Sequence, residues 1–419
     1  MAWEAAGGVA LLAATAVALI WANIATSSYE SFWTTSFTLG VGDHLLTTNL
    51  ASVVTDGLMT LFFLLIGLEV KREMAVGELS DRRAAALPVA AALGGMLVPT
   101  AIYLAIAWGG PAQSGWGIPM ATDVAFALAL LSTLRSRVPK SLWAFLLGVA
   151  VIDDIGAIVV IAVAYSDGIM WAWLAGAAIC LLAMHVLARM HVHTRIPYVA
   201  LCILAWALTA ASGVHATIAG VAIGLLTPVR PLQRPAAVSR EARRVADLTA
   251  DDPSPPDADA EAWLDLTLIS REAVSPLTRM VHALHPWSSF AVLPLFALAN
   301  AGIVINGDTF ATAGATTAAV AVALGLVVGK AIGLPLGALA AVRSGVGRMP
   351  DGARPAQIMG IGLVAGIGFT VSLFITDLAF DNPGVSGAAK VGILAASVVA
   401  ALAGALVLLA SGRRSAHPA

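Results

Sequence analysis

The residues best able to do chemistry in this chain are two adjacent acids, Asp153 and Asp154, in the apolar run "LLGVAVIDDIGAIVVIAVAY". A charged side chain at the centre of an apolar membrane helix costs roughly 3 kcal/mol on insertion scales, so a pair calls for a reason. Neighbours on a helix point about 100° apart, which lets the two acids face different partners. Burial and mutual repulsion both work against the doubly ionised state. A deprotonated carboxylate is a hard oxygen ligand for Na+, and a protonated one is not. One site can therefore hold either a cation or protons. The plainer reading is a buried ion pair that holds helices together.

Lys330, in "LGLVVGKAIGLPLG", is the one lysine in the interior of an apolar stretch and the natural partner for one acid. Such a pair can be a static salt bridge, or proton-linked if the acid is discharged in one state. Two further runs carry polar groups beside helix breakers. In "GWGIPMATDVAFALALL", Gly115, Gly117 and Pro119 precede Thr122 and Asp123. In "GIGLVAGIGFTVSLFI", Gly366 and Gly368 precede Thr370. A helix broken inside a membrane exposes unpaired N–H and C=O groups with partial charges at its half-helix ends. An Asp beside positive ends and a Lys beside negative ones would offset them. Asp56 fits an access path and fits an interfacial acid equally well. His215, in "SGVHATIAG", suits a structural hydrogen bond as well as a pH-sensing role.

The elements that must position these residues follow from composition. The chain has 419 residues, 59% hydrophobic and only 11% charged, with a mean hydropathy of +0.88. Soluble domains carry roughly 25% charge, so an all-α polytopic membrane protein is the fold class expected. Twelve candidate spans lie near 6–25, 53–75, 85–108, 116–134, 141–165, 170–188, 197–212, 214–228, 287–304, 316–341, 356–377 and 388–411. The eighth is the least separated, since Gly213 alone divides it from the seventh. Spans four and eleven are the glycine-interrupted ones, each in the middle of a group of three. Corresponding broken segments in two halves point to inverted repeats with a midplane ion site.

Of the 23 basic residues, all but Lys330 and Lys390 fall at the chain termini or in loops after even-numbered spans. The opposite loops carry Glu30, Asp43, Asp167, Asp308, Asp377 and Asp381 instead. This asymmetry predicts that both termini are cytoplasmic. The organisation expected is spans one to eight within 1–228, a polar, mobile cytoplasmic linker at 229–278, spans nine to twelve within 279–412, and a tail at 413–419. Residues 32–50 carry a Gly-Val-Gly-Asp turn signal and could form an outer β-hairpin. Cys180 and Cys202 sit in apolar segments and read as small hydrophobes. His185, His191 and His193 lack a coherent four-ligand set. No basic patch for nucleic acid is present, and nothing calls for a cofactor.

Assembled in order, these features resemble the NhaA family of bacterial Na+/H+ antiporters. The likeness runs from about Asp56 to Lys390, apart from the 229–278 loop. It is carried by "FFLLIGLEVKREM", "GWGIPMATDVAFAL", "VAVIDDIGAIVV", "SGVHATIAGV", "HALHPW", "LPLFALANAGI" and "GIGFTVSLFI". The resemblance implies twelve helices with inverted repeats and two broken, crossing helices, working by alternating access. Asp154 would be the principal ligand for Na+ or Li+, with Asp153 beside it and paired to Lys330. Thr122 and Asp123 would support the site at the crossing. Exchange would be electrogenic, and the outer hairpin would mediate a homodimer. A charged cluster at Glu69, Arg72 and Glu73, together with His215 and His282, would take part in pH regulation. One departure stands out: "RMVHALHPW" has Val281 where the family commonly has Glu, which predicts a shifted or weaker pH response.

Three rivals share some of these features. An intramembrane aspartyl protease also uses two membrane acids, but on different helices and within a Gly-x-Gly-Asp motif. A passive channel needs no titrating acid pair. An antiporter of the same fold that prefers Li+ or K+ would look the same in sequence, because all alkali ions accept hard oxygen ligands.

Overall fold

The computed structural model describes residues 2–41, 44–135, 137–166, 168–190, 192, 194–231, 233, 235–249, 260–306 and 309–412. Asp43, Asp167, Asp308, His191, His193 and the tail from Arg413 lie outside them.

Apolar composition has one outcome in lipid: backbone groups must bond within their own segment, so the chain becomes helices. In order these are α1 (Ala2–Ile24), α2 (Thr26–Trp33), the strands β1 (Ser36–Val41) and β2 (His44–Asn49), and α3 (Leu50–Val76). Then come α4 (Arg82–Ala107), a 3₁₀ segment (Gln113–Met120), α5 (Val124–Thr133), α6 (Lys140–Ala164), α7 (Trp171–Arg189), α8 (Arg195–Ala211) and α9 (Thr217–Leu226). The remainder are α10 (Pro235–Thr249), α11 (Ala260–Glu272), α12 (Pro276–Asn300), α13 (Ala315–Arg343), α14 (Pro355–Ala365), α15 (Phe369–Ala379) and α16 (Pro383–Ser411).

Among the described residues, nine helical stretches are long and apolar enough to cross a membrane, or ten if α14 and α15, bent by 48°, count as one. Each of the twelve apolar stretches read from the sequence coincides with a helical segment. The eighth is shorter than expected. A turn at 212–216 delays α9 until Thr217, and its ten residues rise about 15 Å, half of a bilayer core of roughly 30 Å.

The 32–50 segment does form a hairpin, β1 antiparallel to β2 with Ser36 opposite Asn49 and Thr38 opposite Thr47. The proline- and acid-rich run at 250–259 on which the linker reading rests lies outside the described residues. Within 229–278 the described residues include α10 and α11, packed on each other. Apolar side chains at helical spacing explain this. Val245 is buried, and Leu266 and Ile269 are shielded, whereas Arg240, Arg243 and Arg244 face out.

Close helix crossings build the frame. α4 runs against α13, where a Cβ on Gly94 would strike the Gly333 backbone. α3 meets α9 in the same way, with Gly67 against the Val221 backbone. Small residues let backbones approach where no hydrophobic effect pulls helices together. Cys180 and Cys202 are free thiols.

Candidate functional site

The site begins with two helix breaks that meet. Pro119 and the glycines before it tighten the fourth span into the 3₁₀ segment Gln113–Met120; the chain then runs extended through 121–123 before α5 starts. The eleventh span ends α14 at Ala365 and restarts as α15 at Phe369. A Cβ at Gly366 would collide with the Leu326 carbonyl oxygen, so only glycine lets this break lie against α13. The breaks are joined by hydrogen bonds: Asp123 N–H donates to the Ile367 carbonyl at 2.6 Å, and the Thr122 hydroxyl lies 2.9 Å from the Ala365 carbonyl.

Asp123 answers the charge problem of both new helix starts. Its Oδ1 accepts from Phe126 N–H at 3.2 Å, capping α5. Its Oδ2 accepts from the N–H and hydroxyl of Thr370 at 3.1 and 2.6 Å, in the first turn of α15. One buried carboxylate thus sits at two helix N-termini, where the partial charge is positive.

Lys330 faces the opposite kind of end. It follows a π-helical turn, Gly325–Gly329, and its ammonium donates to the carbonyl of Met120, the last residue of the 3₁₀ segment, at 2.5 Å. It also lies 2.5 Å from Asp153 Oδ2 and 3.1 Å from Thr122 Oγ1. The Thr122 hydroxyl has one proton for two acceptors, Asp153 Oδ2 at 2.7 Å and the Ala365 carbonyl. Lys330 and Asp153 are fully buried. The second Asp153 oxygen, Oδ1, has no hydrogen-bond partner among the described residues.

Asp154 points elsewhere, as adjacent helix positions require. It is 6% exposed and makes no hydrogen bond to a described residue. The negative charges of Asp153, Glu69 and Asp123 all bear on it. The arrangement is one acid tied to an ammonium and its neighbour left with open oxygens. Such a carboxylate can take either a proton or a hard cation.

The remaining sequence candidates lie apart from this core. Glu69, Arg72 and Glu73 occupy the basic end of α3; Arg72 is exposed and forms no ion pair with a described residue, whereas the charge of Glu69 reaches Asp154. His215 Nε2 lies 3.0 Å from the Tyr165 carbonyl, and Asp56, exposed in a π-helical turn of α3, interacts with it electrostatically. His282 is exposed on α12. Lys390, which broke the basic asymmetry, pairs with Asp377 at 2.6 Å. Sequence reasoning missed two contributions: the Met120 carbonyl, because backbone groups carry no sequence signal, and Thr370 as a double donor to Asp123.

Buried charge at the crossing of two broken membrane helices defines a polytopic membrane transporter. The family of Na+/H+ antiporter 1 matches residues 1–408. The Na+/H+ antiporter NhaA of Anaeromyxobacter sp. (strain Fw109-5) is 45% identical over 99% of this chain and 91% of its own. NhaA 2 of Myxococcus xanthus (strain DK1622) is 44% identical, covering 99% and 89%. NhaA of Oleidesulfovibrio alaskensis is 42% identical, covering 97% and 91%. The chain belongs to the NhaA family of Na+/H+ antiporters, a bacterial family of multi-pass transporters and not of enzymes, which removes the protease reading.

Proposed function

We propose that the protein expels Na+, and Li+ with it, in exchange for a larger number of protons, so that exchange is electrogenic. Cation and protons compete for Asp154 and Asp153. The observation that carries this is the asymmetry within the acid pair, Asp153 held by Lys330 and Asp154 left open. A cation entering beside Asp154 is attracted by the charges gathered around it and gains hard oxygen ligands. Its charge also opposes the Lys330 ammonium nearby. Protonation of the acids removes the attraction for the cation, so protons and cation exclude one another. Asp123 and Thr122 keep the broken helices joined while the site faces either side. Twelve crossings arranged as inverted repeats and alternating access complete the reading. Both termini lie on the basic, cytoplasmic side of the inner membrane, and the β1–β2 hairpin joins two copies in a homodimer. The cluster at Glu69, Arg72 and Glu73, with His215 and His282, tunes access with pH.

The test is proton movement in everted vesicles on addition of Na+, Li+ or K+, comparing wild type with Asp154→Asn. Loss of the Na+ response in the variant is expected, and an undiminished response overturns the assignment. A K+ response equal to that of Na+ would replace the cation preference while leaving the site in place.

A further inference from the structure

A cavity of about 700 Å³ opens among the start of α4, the start of α6 and the loop between α13 and α14. It lies at the basic end of the molecule, away from the acid pair. Two arginines line it, Arg83 from α4 and Arg348 from the loop, and both are exposed. Neither guanidinium makes a hydrogen bond or ion pair with a described residue. Asp81 is the acid of the lining, and its Oδ1 accepts from the Arg83 backbone N–H at 3.0 Å, capping α4. The Ser141 hydroxyl donates to the Asp351 carbonyl at 2.7 Å and so is not a free donor. The charge offered to an occupant is therefore positive.

The rest of the lining is apolar. Leu87 and Phe145 are buried at the cavity wall, and Val346 is 62% exposed at its edge. A cavity whose guanidinium groups have no partner among the described residues, set above an apolar wall, suits an anion that brings hydrocarbon with it. Guanidinium is matched to phosphate oxygens in geometry and charge. Location points to the source. The membrane spans Arg83–Ala107 and Lys140–Ala164 both begin beside the cavity, which puts it where lipid headgroups lie.

We propose that this cavity binds a phosphate-bearing anion through Arg83 and Arg348, supplied by the headgroup of an anionic phospholipid whose chains cover Val346 and the apolar wall. The occupant would tie together the ends of α6, which carries Asp153 and Asp154, and of the loop that follows α13, which carries Lys330. The proposal stands independently of the transport chemistry above.

The experiment uses the full-length protein in phosphatidylcholine nanodiscs doped with photoactivatable phosphatidylglycerol, with cross-links mapped by mass spectrometry. Cross-links are expected in residues 345–350 and at the start of α6, in excess of those from photoactivatable phosphatidylcholine. Loss of that excess in Arg83→Gln/Arg348→Gln, with Na+-driven proton movement retained, supports the site. Suppression by added inorganic phosphate assigns the free anion in place of the lipid. Equal yields from the two lipids in the wild type, a comparison that needs no variant to fold, overturn the proposal. So does an undiminished excess in the double variant.

Discussion

Lys330 Nζ lies 2.5 Å from Asp153 Oδ2, and neither side chain reaches solvent. Charges removed from water this completely are stable only as partners: deleting one leaves the other buried and uncompensated, which costs about 3–5 kcal/mol. Lys330→Gln is therefore expected to lower the thermal unfolding midpoint of the purified protein markedly. Adding Asp153→Asn should recover most of the loss, because a neutral pair of similar volume has no charge to desolvate. A double variant no more stable than Lys330→Gln alone would show that the ion pair is not the source of the effect.

Asp123 holds two helix starts at once, through Phe126 N–H and Thr370 N–H. Removal of a single cap costs about 1 kcal/mol, so Asp123→Ala should cost about twice that. Asp123→Asn keeps one acceptor oxygen and should cost less. Chemical unfolding of the three proteins in detergent checks the order; equal stabilities would show that the helix starts draw their support elsewhere.

Gly366 has no space for a side chain, since a Cβ there would meet the Leu326 carbonyl. Forcing α14 and α13 apart costs on the order of 1–3 kcal/mol and moves the crossing beside Thr122. Gly366→Ala is expected to lose both stability and transport. Gly110→Ala, where the nearest atom would be the Ala107 carbonyl at 3.6 Å, should behave as wild type. Transport by the two variants at matched expression separates the cases.

Val281 lies half-buried on α12, next to the exposed His282, at a position read from the sequence as commonly acidic in the family. A missing carboxylate removes a group able to respond to nearby histidine charge. Na+-driven proton movement measured between about pH 6.5 and 8.5 should rise less steeply than in Val281→Glu, over the range in which imidazoles titrate. Identical profiles would show that position 281 has no part in the pH response.

Much of this was legible in the linear chain. The helical segments followed from apolar runs, because lipid permits the backbone few alternatives. The acid pair, Lys330 and the two interrupted spans could be named because each violates that apolar background at a known cost. The 229–278 stretch was read as a linker from its prolines and acids, while the pairing of α10 with α11 depends on weaker periodic signals on either side of them.

What only the tertiary structure decided is who faces whom. Residue types and spacing offered one lysine and three acids in apolar runs, Asp123, Asp153 and Asp154, and only the family resemblance, not their spacing, ranked the pairings. The α4–α13 crossing sets Lys330 against Met120 and Asp153, and the meeting of the broken spans commits Asp123 to helix ends. Asp154 is left with open oxygens as a consequence. The physical reason is range: hydrophobicity and helix breaking act within a few neighbouring residues, whereas a hydrogen bond or ion pair is made across helices far apart in the chain. Residue types alone determined which groups are costly in a membrane, and packing determined which of those costs are offset.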